Sequence, residues 1–249
     1  MRRFFVFLFM TAMIPSFAFA GKKALIWDDA ETVGKSNLQV ENYFTYTKNK
    51  EEKEGEYVFN FTYGYNDKTD LAINVPFGFK YLNSDKDEKF DIADPFVEIK
   101  YRFFEKENIK FSLKPFLGIP VSKNSGFSEK NISYGVTLTS QIDLDKLAFY
   151  TNSTFTVHEN TLSDKNEFFQ SVSGEYKINE NLSAVLSFYL SNYQSETEKG
   201  GLIGIGYSIG KLEIGIGIGK KFTNENNFEF YSGLTLRFYW YNILIEIKS

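Results

Sequence analysis

Residues Asp94–Pro120 read DPFVEIKYRFFEKENIKFSLKPFLGIP, two segments of alternating apolar and polar residues joined by the polar turn Glu105–Asn108. Because successive side chains of a strand point to opposite faces, each segment predicts a strand with one apolar face. Each strand, when tilted, can cross ~25–30 Å of hydrocarbon. We interpret the stretch as one hairpin of a transmembrane β-barrel. The apolar faces hold Val97, Ile99, Tyr101, Phe103, Ile109, Phe111, Leu113, Leu117 and Ile119.

The same alternation recurs from Leu38 to Trp240 and predicts twelve strands, including the two of this hairpin. Long charged connections, such as residues 80–94, alternate with short turns, such as residues 66–68. An even strand number with long outer loops and short periplasmic turns is typical of bacterial barrels. The expected fold class is all-β, a 12-stranded antiparallel transmembrane β-barrel of the outer-membrane type with both termini periplasmic. A secreted β-sandwich would also alternate, but its outer face would carry long charged side chains.

Two irregularities interrupt this pattern. Pro115 lies in the middle of a predicted strand, where it removes a donor from the ladder, and we expect a β-bulge there. Near the C-terminus the apolar phase reverses after Trp240. We therefore expect the barrel to span residues 37–241 and residues 242–249 to form a tail, with a bulge that continues the last strand as the alternative.

The first twenty residues, MRRFFVFLFMTAMIPSFAFA, combine two arginines, a short apolar run and an Ala-Phe-Ala ending. These are the three parts of a secretory signal peptide, and the apolar run is too short for a spanning helix. We expect residues 1–20 to be a signal peptide cleaved after Ala20. The localisation expected is the bacterial outer membrane.

The composition fits an exported membrane barrel. The chain of 249 residues has a net charge of -4, no cysteine and one histidine, and 18% of its residues are aromatic. An acidic chain without a basic stripe argues against nucleic-acid binding. The absence of cysteine means that an exported fold must hold together without disulfides.

Charged residues on the polar face must line the lumen, because a Lys or Arg facing lipid at mid-bilayer costs ~2–4 kcal/mol. Two roles remain open for them: a structural network of ion pairs, or control of pore selectivity. The basic side chains of the opening hairpin would favour anions unless carboxylates elsewhere neutralise them. The predicted lumen-lining residues are Glu98, Lys100, Arg102, Lys110, Lys114, Glu175, Lys177, Glu213, Glu229 and Arg237.

Residues 21–36 lack a strand pattern and precede the first strand, so they would enter at the periplasmic end. We expect this segment to fold into the lumen as a plug. Asp28 and Asp29 are its candidate contacts with the wall.

Several motifs resemble one family. These are WDDAETVGKSNLQVEN, YGYNDKTDLAINVPF, IADPFVEIKYRFFE, LKPFLGIPV and the closing SGLTLRF. In this order they resemble the outer-membrane transporters of the MetA-pathway of phenol degradation family, from about Trp27 to Phe238. The resemblance implies an outer-membrane barrel that passes small, apolar or aromatic compounds. The tail after Phe238 departs from the family's usual ending.

The sequence offers little for catalysis, and no catalytic residue, metal site or cofactor is expected. A serine hydrolase would need His158 beside a nucleophile such as Ser153, but their parity places them on opposite faces. We expect a channel for passive passage of small, apolar or aromatic molecules. A non-conducting structural barrel and a lipase-like surface enzyme are the alternatives. The expected partners are outer-membrane lipid, lipopolysaccharide, a small-molecule cargo and, during insertion, the barrel-assembly machinery, and not nucleic acid.

Overall fold

The computed structural model describes residues 28–48, 52–82, 88–121, 127–128, 131–159, 165–193, 196–210, 212–222 and 228–239. The expected signal peptide (1–20), residues 21–27 and the expected tail (242–249) lie outside these ranges. No helix in the described ranges is long and apolar enough to cross a membrane. The strands are β1 Asn37–Lys48, β2 Glu52–Asn66, β3 Thr69–Leu82, β4 Glu88–Ile92, β5 Phe96–Lys106, β6 Ile109–Gly118, β7 Ser133–Leu144, β8 Leu147–His158, β9 Lys165–Lys177, β10 Leu182–Tyr193, β11 Glu196–Ile209, β12 Leu212–Lys221 and β13 Phe228–Tyr239.

The strands form one closed antiparallel barrel. Apart from the short strand β4, each strand pairs with the strands on either side of it in the wall, and β1 pairs with both β2 and β13, which closes the barrel. The short strand β4 pairs with the end of β3, while β5 pairs with its beginning, so the two occupy a single position in the barrel wall. The barrel is therefore 12-stranded, as the alternation predicts. The predicted loop at residues 80–94 differs, because β3 continues to Leu82 and β4 follows within that loop.

The wall has an apolar outer face and a polar inner face. On β7 and β8, the outward Leu138 and Phe155 are 43% and 46% exposed, whereas the inward Thr139 is fully buried. This is the reverse of a soluble protein, in which large apolar side chains are buried. Such a wall suits a hydrocarbon surrounding and a polar lumen.

The two ends of the barrel differ. Two-residue turns, such as Glu107-Asn108, join strands at one end, here called the short-turn end. Glu107 and Asp145 have positive φ values of 53° and 32°, as tight hairpin turns require. Asn37 pairs with Tyr239, so the start of β1 and the end of β13 also lie there. The longest connections, such as residues 119–132 between β6 and β7, lie at the opposite end, here called the long-loop end.

The bulge predicted at Pro115 is wrong. Pairing on both sides of Pro115 keeps one register, with Glu98 opposite Phe116 and Tyr101 opposite Leu113. The register instead shifts between Arg102 and Phe104. The bulge there turns two consecutive rings outward, since Phe103 and Phe104 are 49% and 41% exposed.

Candidate functional site

The N-terminal segment, here residues 28–36, lies inside the barrel and follows the wall from the short-turn end towards the middle. Its backbone is held by wall side chains. The Val33 N–H donates to Asp70 Oδ2 at 3.0 Å, and the Ala30 N–H donates to Gln141 Oε1 at 3.0 Å. Ala30 is fully buried, and Val33 is 6% exposed.

The segment fits closely against β2. The Ser36 N–H donates to the Gly64 carbonyl at 2.7 Å. A Cβ atom added at Gly64 would lie 1.8 Å from the Gly34 carbonyl oxygen, so only glycine allows this approach. One cavity between the segment and the wall, beside Glu41 and Lys100, has a volume of about 20 Å³, which is room for one water molecule.

Four cations of β5 and β6, here called the basic wall, bind the carboxylates of the segment. They are Lys100, Arg102, Lys110 and Lys114. Nearer the short-turn end, Glu31 accepts from Arg102 Nη1 at 3.0 Å through Oε2 and pairs with Lys110 Nζ through Oε1. Glu31 therefore bridges two strands with its two oxygens.

Asp28 forms a second bridge of the same design deeper in the barrel. Its Oδ1 accepts from Lys100 Nζ at 2.7 Å, and its Oδ2 accepts from Lys114 Nζ at 2.8 Å. Asp29, which is 4% exposed, adds a contact of 3.3 Å to Lys100. The segment thus presents three carboxylates to four cations.

Three carboxylates of the wall itself complete the network. Glu98 lies 3.3 Å from Lys114, Asp143 lies 2.9 Å from Lys110, and Glu105 lies 3.2 Å from Arg102. With the segment in place, these ion pairs of the described residues bring six carboxylates to four cations. Without it, three of these six would remain, so the segment supplies half of the negative charge in these described ion pairs.

The opposite side of the lumen has a different chemistry. Three buried glutamates, Glu175, Glu213 and Glu229, lie on β9, β12 and β13 and are here called the glutamate wall. Tyr150 donates to Glu175 at 2.9 Å, and Tyr189 donates to Glu229 at 2.9 Å. Two further residues were predicted to line the lumen. Lys177 is exposed at the short-turn end, and the side chain of Arg237 lies outside the described part of the chain.

Aromatic rings face the lumen in the half near the long loops. Phe96 and Phe116 pack edge to face with centroids 6.3 Å apart, and Phe169 stacks on Tyr189 at 6.1 Å. Small wall residues make room for such rings. A Cβ atom at Gly135, Gly200 or Gly78 would lie 2.6, 2.3 or 2.3 Å from the ring of Phe116, Tyr189 or Phe127 respectively.

Several of these residues were not singled out from the sequence. Glu31 lies in a segment without a pattern, and Asp143 falls in a predicted turn. Phe116, Tyr150 and Tyr189 could have been found by parity, because each falls on the polar face of its strand. An aromatic residue at such a position signals an inward ring.

His158 and Ser153 lie on opposite faces of β8. The Ser153 hydroxyl points outward and donates to Gln170 Oε1 at 2.6 Å. His158 Nε2 lies 3.9 Å from Glu167 on the inner side. A nucleophile and a base separated by the wall cannot share a proton.

Residues 19–238 match the family described as "Putative MetA-pathway of phenol degradation". The chain belongs to this family. No curated protein matches it in sequence. The fold is similar to the COG4313 outer membrane channel from Pseudomonas putida F1, with a TM-score of 0.72, 10% identity, and coverage of 86% of this chain and 100% of that chain.

Two porins share the fold at lower similarity. The NanC porin has a TM-score of 0.58 and 12% identity, covering 79% of this chain and 98% of that chain. The KdgM porin in complex with disordered oligogalacturonate has a TM-score of 0.52 and 8% identity, covering 80% of this chain and 98% of that chain. At these identities the likeness extends to the fold alone, and it agrees with an outer-membrane barrel.

Proposed function

We propose that this chain is an outer-membrane channel for small, apolar or aromatic molecules, and that its N-terminal segment, residues 28–36, closes the lumen from the short-turn end. The observation that carries the proposal is the division of the lumen into two halves. Inward rings such as Phe116 and Tyr189 line the half near the long loops, while the N-terminal segment fills part of the other half. A molecule with apolar surface can contact the rings before it meets the segment.

The two barrel ends support a periplasmic position for both termini. Both the start of β1 and the end of β13 lie at the short-turn end, and bacterial barrels keep their short turns in the periplasm. The segment then closes the periplasmic half, and the aromatic half faces the outside. Contacts with lipopolysaccharide at the outer rim and with the barrel-assembly machinery during insertion belong to the same proposal.

We propose no enzymatic activity. Ser153 and His158 lie on opposite faces of the wall, which argues against a hydrolase built on them. A non-conducting structural barrel is the remaining alternative, and conductance separates it from a channel.

The test compares the full mature chain with a variant that lacks residues 22–33, both refolded and inserted in planar bilayers. We expect low conductance from the full chain and a clear rise in the variant, because the deletion removes Asp28, Asp29 and Glu31. Liposome swelling with small aromatic solutes should rise in parallel. Equal conductance of the two chains, both still heat-modifiable on unboiled gels, would contradict closure by the segment.

A further inference from the structure

The Lys100 ammonium depends on the N-terminal segment for its partners. Four acceptors lie 2.7–3.3 Å from Nζ: Asp28 Oδ1, the Asp29 carbonyl, Asp29 Oδ1 and the Glu31 carbonyl. Within the described ranges, all of these belong to residues 28–31. Lys100 is only 6% exposed, and a buried ammonium without partners is costly. The segment itself covers Lys100, so when it leaves, this ammonium faces the lumen beside Lys114, and the two neighbouring positive charges attract another anion.

The geometry of the two bridges specifies what such an anion must offer. Asp28 binds Lys100 with one oxygen and Lys114 with the other, and Glu31 divides its oxygens between Arg102 and Lys110 in the same way. Each bridge is a site for the two oxygens of one planar carboxylate, with the charge-assisted bonds that such a group favours.

Aromatic side chains adjoin the deeper bridge. Phe116 is the next inward residue after Lys114 on β6, and it packs against Phe96 of β5. A ring attached to a carboxylate held by Lys100 and Lys114 would reach these two rings. Aromatic pairs add attraction beyond the apolar area that they bury.

We propose that Lys100 and Lys114, with Phe116 beside them, form a binding site for small aromatic carboxylates, and that the segment occupies this site as an internal ligand when the channel is closed. This inference rests on the proposed function, and it adds the class of ligand and how the ligand opens the channel. A carboxylate that enters from the aromatic half competes with Asp28 for the same two cations. Glu98, 3.3 Å from Lys114, opposes that binding and keeps it weak enough for release.

The test uses the full chain with a single cysteine, which is straightforward because the sequence contains none. Ala30→Cys reports on the segment, since Ala30 is fully buried, and Val33→Cys is a second reporter in case the first disturbs folding. Lys35→Cys, at an exposed position, is the matched control for the chemistry. The rate of labelling by a water-soluble maleimide is measured in sodium benzoate, sodium acetate or sodium chloride at equal ionic strength, and with benzyl alcohol.

We expect benzoate to speed labelling of the buried cysteines several-fold over chloride, to act more strongly than acetate, and to leave Lys35→Cys unchanged. Benzyl alcohol should have no effect, because it lacks the carboxylate. Lys177→Met, in the Ala30→Cys background, should keep the benzoate response, whereas Lys114→Met should weaken it.

Labelling rates that are the same in benzoate and chloride would overturn the proposal. A response to acetate equal to that to benzoate would overturn its aromatic part. Neither result affects the outcome of the deletion test above. If conductance rises on deletion but labelling does not respond to benzoate, the protein is a closed channel without this ligand site. An unchanged conductance on deletion would instead refute the channel closure on which the inference rests.

Discussion

On the basic wall, Lys100 and Lys110 are bound by carboxylates of residues 28–31, whereas on the glutamate wall Glu175 and Glu229 are bound by hydroxyls of Tyr150 and Tyr189. The first set of partners comes from a piece of chain outside the barrel strands. The second comes from strands of the wall itself. We therefore expect the partners that the segment gives to the basic wall to be exchangeable while the barrel stays intact, and the partners of the glutamate wall to stay fixed. On this expectation, the same lumen contains one exchangeable and one fixed charge network.

The largest expected effect is the loss of membrane insertion when positive charges are placed on the outer face of β5. Val97→Lys with Ile99→Lys should block insertion, because both side chains face outward and each lysine at mid-bilayer costs ~2–4 kcal/mol. Heat-modifiable mobility on unboiled gels measures insertion. The matched control is Lys100→Glu with Arg102→Glu, which changes two inward positions on the same strand. This variant should still insert. Insertion of the first pair and failure of the second would mean that the strand faces the other way.

The next largest effect is expected on conductance and ion selectivity, when the charges of the basic wall are reversed. In the folded Lys100→Glu and Arg102→Glu variant, the segment loses two of its four cations and meets two carboxylates in their place, with only Lys110 and Lys114 left to hold it, so it should leave the wall more readily. We expect conductance to rise and selectivity to shift towards cations, because the remaining lumen is acidic. Single-channel current and the reversal potential in a salt gradient measure both. Lys177→Glu is the control, and it should change neither strongly. A folded double variant with unaltered current would show that these ion pairs do not hold the segment.

Most of the fold could be predicted because a barrel wall repeats one rule, outward apolar and inward polar, at every second residue. That rule places Val97 and Ile99 opposite Lys100 without any knowledge of tertiary contacts. It says less about departures from regular pairing. The proline at residue 115 predicts a bulge, yet the strand keeps its register there, and the bulge lies at Phe103. A missing donor interrupts a ladder locally, but it does not require an extra residue.

The partners of the lumen charges could be predicted only in part. The sequence brings Lys100, Lys110 and Lys114 to neighbouring strands, because the turn between them is short. It cannot say whether Glu31 or a strand residue meets them, since residues 28–36 have no period that fixes their direction. Contacts between an irregular segment and a regular wall depend on three-dimensional fit, such as the approach of Gly34 to Gly64.

A smaller effect on conductance is expected when a side chain is added where Gly64 contacts Gly34. Gly64→Ala would place a Cβ atom 1.8 Å from the Gly34 carbonyl oxygen, so the segment must shift away from β2. We expect a modest rise in conductance and faster maleimide labelling at Ala30→Cys. Gly206→Ala is the matched control on the other side of the barrel, where the nearest atom is the rotatable Ser183 Oγ at 2.8 Å. Equal behaviour of the two alanine variants would show that the contact at Gly64 does not position the segment.

The smallest effect on conductance is expected on the glutamate wall. Glu229→Gln keeps the shape of a side chain that is 2% exposed, but weakens the hydrogen bond of 2.9 Å from Tyr189. Because the substitution turns a charged acceptor into a neutral one, we expect the free energy of unfolding to fall by about 1 kcal/mol. The conductance should stay near that of the parent chain, because none of the described contacts of residues 28–36 involves Glu229. Unfolding in denaturant measures the first quantity and bilayer current the second. A current rise as large as that of the Lys100 and Arg102 double variant would mean that both walls hold the segment, and the distinction between an exchangeable and a fixed network would fail.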